Sequence, residues 1–135
     1  MSEPTRVVAL MLSLGAASCM TSPTSTVRLG PWGGSHLSMD VTSAGARLEY
    51  DCADGVIEEP LRPDAAGRFT AAGAHTPGRG GPIRVGEILP AFRARYEGQV
   101  DGERMSLRVT LVDTQVVLGP FDLRHGSAAL LVRCL

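Results

Sequence analysis

Apolar and polar side chains alternate along most of this chain. Within residues 46–52, Leu48, Tyr50 and Cys52 alternate with charged residues, which is the period of a strand with one buried face. Asp54-Gly55 follows, and both residue types tolerate the backbone angles of a tight turn. We therefore expect an all-β domain. The pattern predicts strands near residues 36–41, 46–52, 55–60, 67–72, 91–100, 103–112, 115–125 and 128–135.

The hairpin at residues 91–112 has the most regular alternation. A two-residue loop at Asp101-Gly102 predicts that Tyr96 lies opposite Leu107. Both strands then turn their apolar residues to the same face, so the loop length and the alternation agree on which face is buried.

The number of strands favours a closed barrel. Eight antiparallel strands can close without an unpaired edge, so we predict a small up-and-down β-barrel, with a β-sandwich as the alternative. Strand directions counted along the chain place Cys52 and Cys134 at one end, the end where Trp32 lies. The last hairpin pairs Leu123 with Leu130 and turns Cys134 inward. We predict a disulfide between Cys52 and Cys134, which requires Cα atoms within about 7 Å.

The first eighteen residues have the layout of a secretory signal peptide. The apolar run at 7–14 is too short to span a bilayer, and small residues follow it. The sequence Ala16-Ala17-Ser18-Cys19 resembles the lipobox of bacterial lipoproteins. This resemblance implies that Cys19 is diacylated and becomes the mature N-terminus; a signal peptide cleaved near Ser18 is the alternative. A lipidated Cys19 also leaves the other two cysteines as a pair.

These patterns divide the chain into three parts. We expect a signal peptide at 1–18, a lipidated N-terminus with a polar tether at 19–28, and the barrel domain at 29–135. The lipoprotein resemblance implies a membrane partner through the N-terminal lipid. Because Met20 and not Asp follows the cysteine, it also implies an outer-membrane location facing the periplasm. A soluble periplasmic or secreted protein is the alternative.

The first strand is preceded by a Gly-x-Trp pattern at Gly30 and Trp32. It resembles the calycins, the lipocalin- and avidin-like barrels, in which the tryptophan plugs one end of the barrel. The resemblance implies that an arginine of the last strand, here Arg133, packs on Trp32. An ordinary buried tryptophan after a glycine-rich turn is the alternative. The candidate interior or ligand-lining residues are Trp32, Tyr50, Phe92, Tyr96 and Arg133.

Composition and motifs limit the partners and reactions that we expect for this chain. The formal net charge of -1 gives no basic excess, so we expect no nucleic-acid partner. There is no Gly-rich phosphate loop, Cys-x-x-Cys, His-Glu-x-x-His or Gly-x-Ser-x-Gly. The three histidines, at positions 36, 75 and 125, are predicted on an outward face, in a loop and at a strand end. We therefore expect no metal, no cofactor and no enzymatic activity.

Charge is nevertheless unevenly distributed. The outer face of the 91–112 hairpin carries Arg93, Arg95, Arg104 and Arg108, and the predicted register places Arg95 opposite Arg108. Such a like-charge pair favours an anionic partner, such as lipid headgroups or a cell-wall polymer. A solvated face with counter-ions is the alternative.

Three functions fit these expectations. The first is a cell-envelope lipoprotein that is not an enzyme and acts through surface interactions with an anionic component or a protein. The second is a binder of small apolar ligands of the calycin type, although we expect a core filled by side chains rather than a pocket. The third follows from Tyr50-Asp51-Cys52 and the C-terminal cysteine, which resemble the small lipoprotein inhibitors of C-type lysozymes.

Overall fold

The structure, a computed structural model, describes residues 13–18, 26–78, 82 and 84–134. Within these residues each strand pairs antiparallel with the next, and the last pairs with the first, so the sheet closes into a barrel. The predicted all-β up-and-down barrel is confirmed, and the sandwich alternative is wrong. The predicted lipidation site, Cys19, lies outside the described residues. The strands are β1 (Gly30–Gly34), β2 (Leu37–Val41), β3 (Ala46–Tyr50), β4 (Ala53–Ile57), β5 (Arg68–Pro77), β6 (Phe92–Asp101), β7 (Arg104–Leu111) and β8 (Val117–His125).

β1 is a strand that the alternation does not predict. It takes the place of the strand predicted at 128–135; in the described part of that range, residues 128–134, the isolated bridge at Leu130 is the one β pairing. Four of its five residues are glycine or proline, so it shows no apolar period. Gly33 has to be small, because a Cβ atom there would overlap the carbonyl oxygen of Ser127. β1 closes the barrel by pairing with β8, which places Trp32 opposite His125.

Residues 127–134, which we call the C-terminal segment, run back over the outside of β1. Ser35 and Leu130 form a parallel bridge. The segment then reaches the β3–β4 turn, where Cys134 is bonded to Cys52 with their Cα atoms 5.4 Å apart. The predicted disulfide is confirmed. Both cysteines are exposed, so the predicted inward orientation of Cys134 is wrong.

The disulfide lies at a different end of the barrel from the one predicted. The β1–β2 and β3–β4 turns share one end, and the chain enters β1 at Gly30 from the other. Trp32 contacts His125, the last residue of β8, on the side where the chain enters. The reason is the additional strand. Because β1 precedes the predicted first strand, each later strand runs in the opposite direction to the predicted one when counted from the end where the chain enters the barrel.

The β6–β7 hairpin keeps its predicted faces in a different register. The turn consists of Gly102 and Glu103, and Tyr96 lies opposite Val109 instead of Leu107. Gly102 has a φ of +60°, which glycine adopts at little cost. Because side chains alternate with a period of two, a shift of two residues leaves each side chain on its predicted face.

Other boundaries move by a few residues. The β3–β4 turn lies at 51–52 instead of 54–55, so Gly55 is inside β4. β5 continues to Pro77, five residues beyond the strand predicted at 67–72. The β7–β8 register shifts between Leu107 and Val109, which pair with Phe121 and Leu118.

The interior of the barrel is packed with side chains. Trp32, Leu37, Met39, Tyr96, Leu107 and Val109 have no solvent-exposed surface. A side chain with no accessible surface adjoins neither solvent nor a void that could hold a water molecule. Two glycines make room for Tyr96, since Cβ atoms at Gly55 and Gly73 would lie 2.6 and 2.9 Å from its ring system. The filled core that we expect is therefore what the structure shows around these residues.

Candidate functional site

The predicted interior residues occupy three different environments. Trp32 and Tyr96 are fully buried, and Tyr50 is buried near one end of the barrel. Phe92 is on the inward phase but lies at the start of β6, where its side chain is 37% exposed. Arg133 is exposed, because the C-terminal segment lies outside the barrel.

His125 occupies the position that the calycin resemblance gives to Arg133. Its ring meets that of Trp32 edge to face, with centroids 5.1 Å apart. The indole Nε1 of Trp32 donates a hydrogen bond to the carbonyl oxygen of Arg28 at 2.9 Å. Trp32 thus fastens the segment that leads into β1, and Arg133 is not needed for its packing.

An aromatic cluster fills the end of the barrel near the β3–β4 turn. The ring of Tyr50 lies edge to face against His75, with centroids 5.0 Å apart, and against Phe121 at 5.7 Å. The hydroxyl of Tyr96 donates a hydrogen bond to the carbonyl oxygen of Ala74 at 2.7 Å. Within the described residues, the Tyr50 hydroxyl and the His75 Nδ1 are buried without a hydrogen-bond partner. A buried polar atom without a hydrogen bond lowers the stability of a fold. These two atoms therefore make this end of the core less favourable energetically.

Burial sets the protonation states in this cluster. Desolvation raises the pKa of Tyr50, and the neighbouring Tyr96 raises it further. Desolvation also raises the pKa of Tyr96 to about 12, so both phenols stay neutral near neutral pH. For His75, desolvation lowers the pKa, and the carboxylate of Asp54 opposes this shift. The prediction that His75 is a solvated loop residue is wrong, because β5 extends through it.

The protonation of His75 should make the fold less stable in mild acid. Its unfolded pKa is about 6.5, and the folded protein holds it lower. The unfolded chain therefore takes up a proton first as the pH falls, so stability is full above about pH 6.5 and declines below it. Urea unfolding across this range should show this decline in the wild type and a smaller one in His75→Phe. Identical pH dependence in both proteins would contradict the assignment.

The sequence gives no signal for a second cluster, which joins the two turns beside the disulfide. His36 Nδ1 lies 2.6 Å from one carboxylate oxygen of Asp51, and the other oxygen accepts a hydrogen bond from the Val132 amide at 2.7 Å. The Val132 hydrogen bond is the main cause of the lowered pKa of Asp51. His36 has a φ of +71°, an unusual conformation for a residue other than glycine. Because the ionised Asp51 holds the C-terminal segment as well as His36, we assign this cluster a structural role.

The four arginines predicted to form one cluster divide into two groups. Arg93 forms an ion pair with Asp113 at 2.7 Å, and Arg95 forms one with Glu97 at 3.0 Å. Arg95 lies opposite Thr110, so the predicted Arg95–Arg108 pairing is wrong because of the register shift. Both ion pairs are exposed and leave these two arginines with their charge already balanced.

The remaining arginines form a separate group with two that the sequence analysis missed. Arg104 lies directly opposite Arg124 on the neighbouring strand. Like charges in this arrangement repel, and the carboxylate of Asp101, which lies opposite Arg104 on β6, offsets part of that repulsion. Arg68 and Arg108 lie on the same outer side of the barrel. We call the outward-facing side of β5–β8 that carries Arg68, Arg104, Arg108 and Arg124 the arginine face; in the part of the chain that the structure describes, none of the four has an ion-pair partner.

Two adjoining grooves cross the arginine face. One has a volume of about 650 Å³ and the other about 360 Å³, and they share Gln99 and Ser106, which are cross-strand neighbours. The larger groove contains both Arg104 and Arg124, together with the carboxylates of Asp101 and Asp122. The smaller one contains Arg68 and Arg108, together with the carboxylate of Glu97, which lies opposite Arg108. Each groove therefore combines two guanidinium groups with carboxylates and neutral hydrogen-bonding side chains. Guanidinium groups suit anionic oxygen atoms, and the carboxylates moderate that attraction.

The outer side of β2–β4 has the opposite character. Asp40, Glu49 and Asp54 project outward there, with Arg47 the one cation among them on these strands. Glu49 and Asp54 are direct cross-strand neighbours. The charge asymmetry predicted along the sequence thus becomes a separation between two sides of one barrel.

The described residues contain no group of three or more histidine, cysteine, aspartate or glutamate residues arranged to hold a metal ion. In the same part of the chain, no helix has the length and apolar character needed to cross a membrane.

Comparison with protein-family models, with curated proteins and with solved structures finds no match for this chain. The resemblances to lipoproteins, calycins and lysozyme inhibitors therefore stay predictions. Function has to be argued from the geometry of the barrel.

Proposed function

We propose that this chain is an exported cell-envelope lipoprotein, without enzymatic activity, whose barrel binds an anionic partner through the arginine face. The observation that carries the proposal is the position of Arg104 opposite Arg124, on a groove where neither has an ion-pair partner among the described residues. An isolated arginine on a surface is ordinary. Two arginines that face each other on neighbouring strands repel. Asp101, opposite Arg104, offsets part of this cost, and a bound anion would lower it further.

The packing of the core supports a surface function. A ligand inside the barrel would have to displace side chains such as Trp32, Leu107 or Val109, which have no accessible surface. Ligand pockets usually offer several hundred Å³ of preformed space. Two grooves of that size lie outside the barrel on the arginine face, and others of about 310–520 Å³ lie elsewhere on the protein.

The disulfide supports the proposed location. Cys52 and Cys134 are bonded across 82 residues of sequence, and such bridges persist in oxidising compartments. The bond is compatible with an exported protein. The signal peptide, the lipid on Cys19 and the outer-membrane location remain parts of the proposal that rest on the sequence.

Binding of inorganic polyphosphate tests the proposed function. We expect the purified exported protein to bind it, and we expect Arg104→Gln combined with Arg124→Gln to weaken binding at least tenfold, or about 1.4 kcal/mol. Hydrogen bonds from charged groups contribute about 1.5–3 kcal/mol each, so a tenfold loss is a conservative expectation. Titration calorimetry measures the affinity.

Arg93→Gln combined with Arg95→Gln is the matched control. It removes the same number of charges from the same sheet, but both arginines already have carboxylate partners. We expect less than a threefold change, below 0.7 kcal/mol, as is typical of exposed ion pairs. If both double variants lose affinity equally, the interaction reflects overall charge and the assignment of the arginine face is wrong.

A further inference from the structure

Three of the four free arginines lie at the same end of the barrel as the described residues that lead into β1. Arg68 is the first residue of β5, Arg104 is the first of β7, and Arg124 is the next to last of β8. Antiparallel pairing brings these three positions to the end at which the chain enters β1, which we call the tether end. Residues 68, 104 and 124 are far apart in sequence, so this arrangement exists only in the folded barrel.

Direct contacts hold the incoming chain at that end. Arg28 forms an ion pair at 2.9 Å with Glu103 in the β6–β7 turn. The ring of His125 hydrogen-bonds through Nε2 to the carbonyl oxygen of Leu29 at 2.8 Å. The residues that follow the predicted tether are therefore fastened beside the strand ends that carry the free arginines.

We infer that the anionic partner of the arginine face is the phosphate layer of the membrane to which the tether leads, and that Arg68, Arg104 and Arg124 rest on lipid headgroups. This inference depends on the proposed function, because it assigns a partner to the same face. Guanidinium groups bind phosphate oxygens through paired hydrogen bonds. A basic patch beside a lipid anchor also supplies the second signal that stable membrane attachment requires.

The length of the tether agrees with this partner. Thr26 is seven positions after Cys19, and seven extended residues span at most about 25 Å. Thr26 lines a groove with Gly102 of the β6–β7 turn, so it is already close to the first residue of β7. A lipid on Cys19 would keep the tether end near the membrane. Attachment of this kind raises the effective concentration of headgroups around the arginines.

The distribution of charge over the barrel predicts how the barrel is oriented on the membrane. Asp101 and Asp122 line the larger groove and reduce its net positive charge, so the attraction is moderate. The acidic side, with Asp40, Glu49 and Asp54, belongs to β2–β4 and would face away from an anionic surface. The barrel should therefore lean on its β5–β8 side. In that orientation the disulfide and the Tyr50–His75 cluster, at the opposite end, point away from the membrane.

Vesicle flotation tests this inference with the exported protein carrying Cys19→Ala, so that no acyl chain contributes. We expect binding to vesicles that contain phosphatidylglycerol and none to pure phosphatidylcholine. Each arginine near an anionic surface contributes about fivefold, so Arg104→Gln with Arg124→Gln should lower partitioning roughly 25-fold. Arg93→Gln with Arg95→Gln should change it less than threefold. Binding should disappear near 1 M salt, where the Debye length is about 3 Å.

The outcomes separate this inference from the proposed function. Binding to polyphosphate without binding to phosphatidylglycerol vesicles would overturn the membrane partner and leave the anion-binding face standing. Failure to bind either probe would overturn both. Vesicle binding that survives the Arg104 and Arg124 substitutions would show that another surface contacts the lipid, and would overturn the inference as well.

Discussion

Replacing Tyr96 by alanine should lower the free energy of unfolding by about 3–5 kcal/mol, the usual cost of removing a large aromatic side chain from a core. Tyr96 has no accessible surface. Its ring occupies space left by Gly55 and Gly73, and its hydroxyl donates to the carbonyl oxygen of Ala74. Alanine would leave a cavity that backbone atoms on two strands cannot collapse to fill. The loss would be a large part of the 5–15 kcal/mol typical of a domain.

Urea unfolding of three proteins measures this effect. Tyr96→Phe is the matched control, because it keeps the ring and removes the hydrogen bond to Ala74. We expect it to cost about 1–3 kcal/mol, the penalty for leaving a buried acceptor unpaired. If the alanine variant loses no more than the phenylalanine variant, the ring lines an open space. A binder of small apolar ligands would then be the better account of the barrel.

Removal of the Cys52–Cys134 disulfide should have an effect of similar size. The bonded residues are separated by 82 positions. A loop of this length gives about 4–5 kcal/mol in the chain-entropy account. The barrel itself should survive, because its closure depends on the pairing of β1 with β8 and not on the bridge. We therefore expect a folded but weaker protein.

This expectation is checked with Cys52→Ala combined with Cys134→Ala. Because both cysteines are exposed, treatment of the wild type with a reductant should reproduce the loss. Asp51→Asn is the control, since it weakens the other link to the C-terminal segment, at Val132, and leaves the bridge intact. Equal unfolding midpoints for the wild type and the double variant would show that the bridge adds no stability.

The sequence predicts inward and outward faces better than it predicts strand partners. In the β6–β7 hairpin, Tyr96 is inward as predicted although its partner is Val109 and not Leu107. The face depends on a local period of two, which is visible in any short window of sequence. The partner depends on which residues form the turn, and several turns near Gly102 are compatible with the same alternation.

The position of β1 could not be predicted from the sequence, for a related reason. Its residues are mostly glycine and proline, which carry no apolar pattern. Gly33 is small because the C-terminal segment, about a hundred residues later, packs against it. That contact is absent from any local window. Without β1, the alternation predicts residues 128–135 as the eighth strand. The strand directions counted from this set then place the disulfide at the wrong end of the barrel.

The candidate site was predicted in part. The sequence indicated an arginine-rich outer face and named Arg104 and Arg108, but it grouped them with Arg93 and Arg95. The structure balances Arg93 and Arg95 with acidic neighbours. The arginines that lack such partners are brought together by closure of the sheet. The Arg93–Asp113 pair joins two segments twenty residues apart, and sequence spacing does not encode the distance between them. Arg95 and Glu97 are two residues apart on β6, but the sequence alone does not show that they form a pair.

By itself, the sequence determined the all-β class, the up-and-down barrel, the buried face of the β6–β7 hairpin and the Cys52–Cys134 pairing. These properties follow from the alternation of side chains and from the small number of cysteines, both of which are local or countable. Only the tertiary structure decided the register, the place of β1 and the partner of Trp32. It also decided which arginines share the tether end, because antiparallel closure alone brings the ends of β5, β7 and β8 beside the incoming chain.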